Sequence, residues 1–172
     1  MGDWFKDIDW TEVFTEERIQ QLTDEWNSET IKVNYHGSPY KLKDIEVGSW
    51  IDLYVIEDYH LHPDEYAQIS LGVSMELPQG YEAILAPRSS TFKKYGLIQT
   101  NGIGVIDSTY NGDNDIWQMP VLATREIWIP KGARICQFRI QETQPKIKFV
   151  EVNSLDNQDR GGFGEGTGDA EL

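Results

Sequence analysis

The chain has little cysteine, histidine or positive charge. Of its 172 residues one is Cys and three are His, and 15 Lys and Arg stand against 29 Asp and Glu. The lone Cys136 cannot close an intrachain disulfide, which fits a reducing cytoplasm. The formal net charge of −14 argues against a nucleic-acid or anionic-membrane partner, because neutralising phosphates takes a basic surface. No apolar run approaches the ~20 residues that span a bilayer. The opening MGDWFKDIDW is acidic where a secretory signal would be basic, so a cytoplasmic location is expected. His36, His60 and His62 are too few and too badly spaced for the known zinc patterns. None lies in a loop that could assemble a Ser-His-Asp set.

The hydrophobic content of 39% and aromatic content of 12% suit one globular domain with a real core. The only convincing helical stretch is 9–27, DWTEVFTEERIQQLTDEWN. There Asp9 with Glu12 reads as a capping box, Thr15 before Glu16-Glu17 reads as a second start, and Ile19, Leu22 and Trp26 share a face. From about residue 31 the pattern changes. AQISLGVSMELP alternates apolar residues at period two, ARICQFRIQ and PKIKFVEV are short β-like runs, and Gly or Pro recurs every eight to twelve residues. Many short, evenly spaced strands indicate an all-β barrel or jelly roll.

Five stretches carry chemistry. In NGIGVIDSTYNGD (101–113), Asp107 follows a strand-like run and Tyr110 follows three residues later, among glycines. Alone, this reads as a β-hairpin with Asp107 as a turn former. GSWIDLY (48–54) places Asp52 at a turn into a strand, and ARICQFRI (133–140) sets the amide of Gln137 among apolar residues. APRSSTFKKYGL (86–97) offers the forked guanidinium of Arg88, the hydroxyls of Ser89 and Ser90 and backbone N–H groups, a set that suits phosphate. RGGFGEGTG (160–168) is glycine-rich but lacks the spacing of a P-loop. An anionic ligand is compatible with so acidic a chain only in a local cationic pocket, helped by a divalent metal. Arg18, Arg88, Arg125, Arg134, Arg139 and Arg160 are the arginines available for one.

Together and in this order, the five stretches resemble the motifs of the trimeric dUTPase family. The Pro-Arg-Ser-Ser and Trp-Ile-Asp variants are similar to those of Gram-positive bacteria and their phages. The resemblance covers about residues 45–168. It implies a distorted jelly-roll β-barrel over 45–155, a partly helical N-terminal extension over 1–44, and a flexible glycine-rich tail over 156–172 that closes the active site. It further implies hydrolysis of dUTP to dUMP and pyrophosphate by a homotrimer. Each site would combine the phosphate loops of one chain, the 101–110 hairpin of a second and the tail of a third.

On the same resemblance, Asp107 would orient and deprotonate a water for attack on the α-phosphorus. Backbone at Asn101, Gly104 and Ile106 would read the uracil edge, with glycines letting the main chain approach the base. Tyr110 would pack beneath the deoxyribose. Arg88, Ser89, Ser90 and Gln137 would hold the phosphates, with Arg160 reaching the terminal one. Asp52 would orient Arg88 or a metal-bound water, and Lys94 matches a lysine usual after the second motif. Mg²⁺ would be held through the triphosphate and waters, with no direct protein ligand. Phe163 and Thr167 belong to the closing tail. The Arg160-to-Phe163 spacing is shorter than the family's, which leaves open whether Phe163 or another aromatic such as Trp117 covers the base. Two alternatives remain. A dCTP deaminase of the same superfamily needs a Glu on the strand after the hairpin, and NDIWQMPVL has none. A dUTPase with an added regulatory role would bind a protein through residues 1–44.

Overall fold

Five apolar residues at alternate positions, Ile69, Leu71, Val73, Met75 and Leu77, predict one long half-buried strand. In the computed structural model, which describes residues 15–19 and 30–159, all five are buried, yet the run is two strands. Gly72 turns the corner between them at φ +65°, and a Cβ there would stand 2.2 Å from Ile56 Cγ2, so no other residue fits without displacement. The corner is pinned from inside the barrel: Leu71 N–H donates to Trp117 O (2.9 Å), and Trp117 N–H donates to Val73 O (2.8 Å).

The described strands are β1 (Lys32–Asn34), β2 (Ile51–Tyr54), β3 (Tyr59–Leu61), β4 (Tyr66–Ser70), β5 (Ser74–Glu76), β6 (Tyr81–Pro87), β7 (Leu97–Gln99), β8 (Gly104–Asp107), β9 (Gln118–Ala123), β10 (Ile127–Ile129) and β11 (Arg134–Glu142). One short helix, α1 (Thr91–Tyr95), lies between β6 and β7. All pairings are antiparallel. A four-stranded sheet runs β2-β11-β6-β8, a three-stranded sheet runs β4-β9-β7, and β1-β5 and β3-β10 form ribbons. These wrap one core in which Trp117 meets Phe138 edge to face at 5.2 Å, a favoured aromatic geometry. The fold is all-β, a distorted jelly-roll barrel. No helix among the described residues is long and apolar enough to cross a membrane.

Three expectations are refined. Residues 16–19 are helical, and Thr15 caps them: its Oγ1 accepts from Arg18 N–H at 3.1 Å and its carbonyl from Ile19 N–H at 2.9 Å. The remainder of the 9–27 helix lies outside the described residues. Among the described residues sheet pairing begins at Lys32, whose strand β1 joins β5, ahead of the barrel boundary expected at residue 45. PKIKFVEV is not a strand. It follows β11 without pairing among the described residues, leaving Phe149 90% and Val150 70% exposed. Its alternating pattern is strand-like, but no described strand edge receives it.

Candidate active site

The cationic half of the site is built by one irregularity in β11. Gln137 pairs with Asp52 and Cys136 with Leu53, but the next pair is Arg134 with Tyr54, so Ile135 is an extra, unpaired residue. Such a bulge re-aims the side chains beyond it. Without it Ile135 would stand opposite Tyr54; with it Arg134 does, on the same face as Asp52. Arg134 Nη1 then donates to Asp52 Oδ2 at 2.9 Å, while Arg88 Nε donates to Asp52 Oδ1 at 2.7 Å. One carboxylate thus holds two guanidiniums, and Arg88 and Asp52 are both about three-quarters covered. Gln137 lies half-buried between Asp52 and Ala86.

On its other edge β11 stays in register with β6, and Ile135 O, one step past the Cys136–Pro87 pair, anchors the turn that follows β6. It accepts from Arg88 N–H at 3.2 Å and from the buried Thr91 hydroxyl at 2.6 Å. Ser89 and Ser90 are left exposed at the start of α1. Ser90 occupies the N-cap position, yet its side chain makes no capping bond, so its hydroxyl is available to a ligand. Lys94 sits one turn on, its ammonium 4.9 Å from the centre of the Tyr95 ring, where a cation also favours the helix C-terminus.

The anionic half lies around β8. Thr109 donates to Asp107 Oδ1 twice, from N–H at 2.7 Å and from its hydroxyl, and Tyr110 N–H donates to Asp107 O at 3.2 Å. Asp107 is therefore a turn former as well as a candidate base. The Thr109 hydroxyl and then its backbone N–H hold the Asp107 pKa below the usual carboxylate value. Asp107, Tyr110, Ile106, Ile116, Gln68 and Gln118 line a cleft of about 300 Å³. Tyr110 is 42% exposed.

The expected hairpin is not a closed two-stranded one: β7 pairs with β9, and β8 pairs with β6. The 100–103 segment therefore crosses between sheets, and β8 is an edge strand whose alternate N–H and C=O groups face outward. Asn101 is held by Gln99, whose Nε2 donates to Asn101 Oδ1 at 2.9 Å. Gly104 is buried, and a Cβ there would stand 2.9 Å from Leu85 Cβ. The missing side chain at this position serves the packing of β8 on β6. Trp117 is fully buried on Phe138, so it is core and not an alternative cover for a base. Arg160, Phe163 and Thr167 lie outside the described residues.

Sequence reasoning brought Asp52 and Arg88 together, named Arg134 only as one of the available arginines without its pairing to Asp52, and missed Thr109 and Gln99. Thr109 was findable, since Asp-x-Thr is a spacing for an Asx turn. Arg134 depends on the bulge and was not. The two halves are far apart within the chain. Asp107 pairs with Glu82 at one end of β6 and Arg88 follows the other end, six residues or roughly 20 Å along an extended strand.

The dUTPase family model matches residues 49–168. A prophage-derived deoxyuridine 5'-triphosphate nucleotidohydrolase of Bacillus subtilis is 50% identical over 135 residues, 78% of this chain and 95% of that protein. The corresponding protein of Finegoldia magna is 41% identical over 115 residues, 64% of this chain and 78% of its own length. Among solved structures, the dUTPase of Streptococcus mutans superposes with a TM-score of 0.62 at 21% identity, covering 70% of this chain and all of that one. A Staphylococcus bacteriophage 80alpha dUTPase variant with dUpNHpp superposes at 0.63 and 22% identity, covering 79% and 97%. The match of 49–168 takes in both halves of the site and the sheet that separates them, and with half of the aligned residues shared with a prophage enzyme, this chain belongs to the dUTPase family.

Proposed function

We propose that this chain hydrolyses dUTP to dUMP and pyrophosphate in sites shared between subunits of a homotrimer. One observation carries the sharing: the backbone positions of the cationic and carboxylate halves stand roughly 20 Å apart along β6, more than twice the span of a triphosphate. Arg88, Ser89, Ser90 and Gln137 of one chain would face Asp107 and Tyr110 of another. The unpaired apolar run at 147–152 supplies a segment for exchange between chains, and the tail over 156–172 would close the third side with Arg160, Phe163 and Thr167.

In this reading the backbone groups around Asn101, Gly104 and Ile106 read the uracil edge. Cytosine would leave those groups unpaired in a closed site, the strong form of discrimination. Tyr110 fills the space that a ribose 2′-hydroxyl would take. Asp107 orients the attacking water and draws on its proton as the bond to the α-phosphorus forms. Its depressed pKa keeps it ionised and makes it a weak base, so positioning is its larger contribution. Asp52 acts through Arg88 and Arg134, presenting their remaining N–H groups to the phosphates.

The donor set fits a magnesium ion carried by the nucleotide. Both oxygens of Asp52 are taken by guanidiniums, and the rest of that half offers donors, so metal would be held through phosphate oxygens and water. When bound, it supplies charge neutralisation to the triphosphate. A panel of dUTP, dCTP, dTTP and UTP, assayed for pyrophosphate with and without Mg²⁺, tests the reading. The expected result is Mg²⁺-dependent pyrophosphate release from dUTP, with dCTP disfavoured on the order of 10⁴-fold. Ammonia release from dCTP would overturn it.

A further inference from the structure

The β3-β10 ribbon brings together three metal-binding side chains that the reaction does not use. Its register pairs Ile127 with Leu61 and Trp128 with His60, so one step further sets Glu126 beside His62. His60 and His62 flank the buried Leu61, and alternation along a strand sends both rings to the same, solvent side. Glu126 and Trp128 flank Ile127 in the same way. The histidine ring centres are 4.9 Å apart, and His60 Nε2 lies 3.0 Å from Glu126 Oε1. One ligand atom from each of His60, His62 and Glu126 falls within 4.8 Å of the other two. Four ligands at the usual zinc distances of about 2.0–2.1 Å would stand about 3.3 Å from one another in a tetrahedron. All three side chains are exposed, so rotation about their own bonds closes the difference and the approach from solvent is open. Trp128 stands 5.9 Å from His60, centre to centre, with the rings tilted at 42°.

We propose that His60, His62 and Glu126 form a binding site for a divalent transition-metal ion, zinc being the best fit, with water in the remaining position. Two imidazoles and one carboxylate suit zinc and its neighbours, whereas magnesium prefers six oxygens. The site is therefore separate from any magnesium that accompanies the nucleotide. His60 and Glu126 are 66 residues apart, and only the ribbon's register joins them. A metal there would staple β3 to β10 and raise the melting temperature by binding the folded state alone.

The test is equilibrium dialysis of the full-length, nucleotide-free protein against Zn²⁺ in excess Mg²⁺, paired with thermal unfolding. One Zn²⁺ per chain is expected, with a rise in Tm. His62→Ala and Glu126→Gln should each weaken binding at least about tenfold and reduce the Tm rise, while His36→Gln, at the remaining histidine, should change neither. Absence of saturable binding by the native chain overturns the proposal, as does native-like binding by both the His62 and Glu126 variants.

Discussion

At the scale of single residues, the site turns on what each carboxylate is bonded to. Asp107 keeps one oxygen under Thr109, and replacing the acid with its amide leaves the shape intact while removing the charge that, on the proposed mechanism, draws on the water. Asp107→Asn should bind a non-hydrolysable dUTP analogue normally and lose on the order of 10²–10⁴ in kcat, read by isothermal titration beside steady-state kinetics. The Thr109 hydroxyl gives a finer test. In the proposed mechanism Asp107 works ionised, and its lowered pKa then means activity falls only as pH drops below the usual carboxylate value. Thr109→Ala removes the larger cause of that shift, so the acid limb of the pH–rate profile should move to higher pH with little change near neutrality. Asp52 acts differently, because its loss leaves two guanidiniums side by side. Asp52→Asn should raise KM for dUTP more than it lowers kcat. Cys136 has no part in this chemistry, since burial pushes its thiol up to about 12.

At the scale of elements, β8 depends on how closely it lies against β6. Gly104→Ala would set a Cβ 2.9 Å from the fixed Cβ of Leu85, and relief requires β8 to shift outward, carrying Asp107 with it. Overpacking of this kind costs about 1–3 kcal/mol. A lower Tm together with a raised KM would report both consequences. The elements also show how far the sequence was legible. Alternation found the buried faces of 69–77 and of β11, because period two survives wherever one side of a strand is covered. It could not see that Gly72 splits the first run between sheets, because the cause is Ile56, sixteen residues earlier. Nor could it see the bulge at Ile135, which sets Arg134 on Asp52. The motif residues were legible through their order along the chain. Their supports, Arg134, Thr109 and Gln99, were less so, because they act by geometry that the motif spacing does not encode.

At the scale of the whole molecule, the proposed function makes the chain by itself an incomplete enzyme. Its two half-sites sit at opposite ends of β6, and after β11 it sends out a run with Ile147, Phe149, Val150 and Val152 all more than half exposed. An alternating apolar segment with no partner edge among the described residues is costly in water and a ready strand for another copy. If the trimer forms by exchange of this run, Phe149 is covered in the assembly although it is 90% exposed in the single chain. Phe149→Asp would then bury a charge at a subunit contact. The expected result is a shift from trimer to monomer by light scattering, with loss of dUTP turnover and unchanged circular dichroism of the barrel. Turnover should return in part at high protein concentration, since mass action opposes dissociation. A Phe149→Asp protein that remained trimeric and active at assay concentration would place this run on the outer surface, and the contact between half-sites would then have to come from the barrel faces.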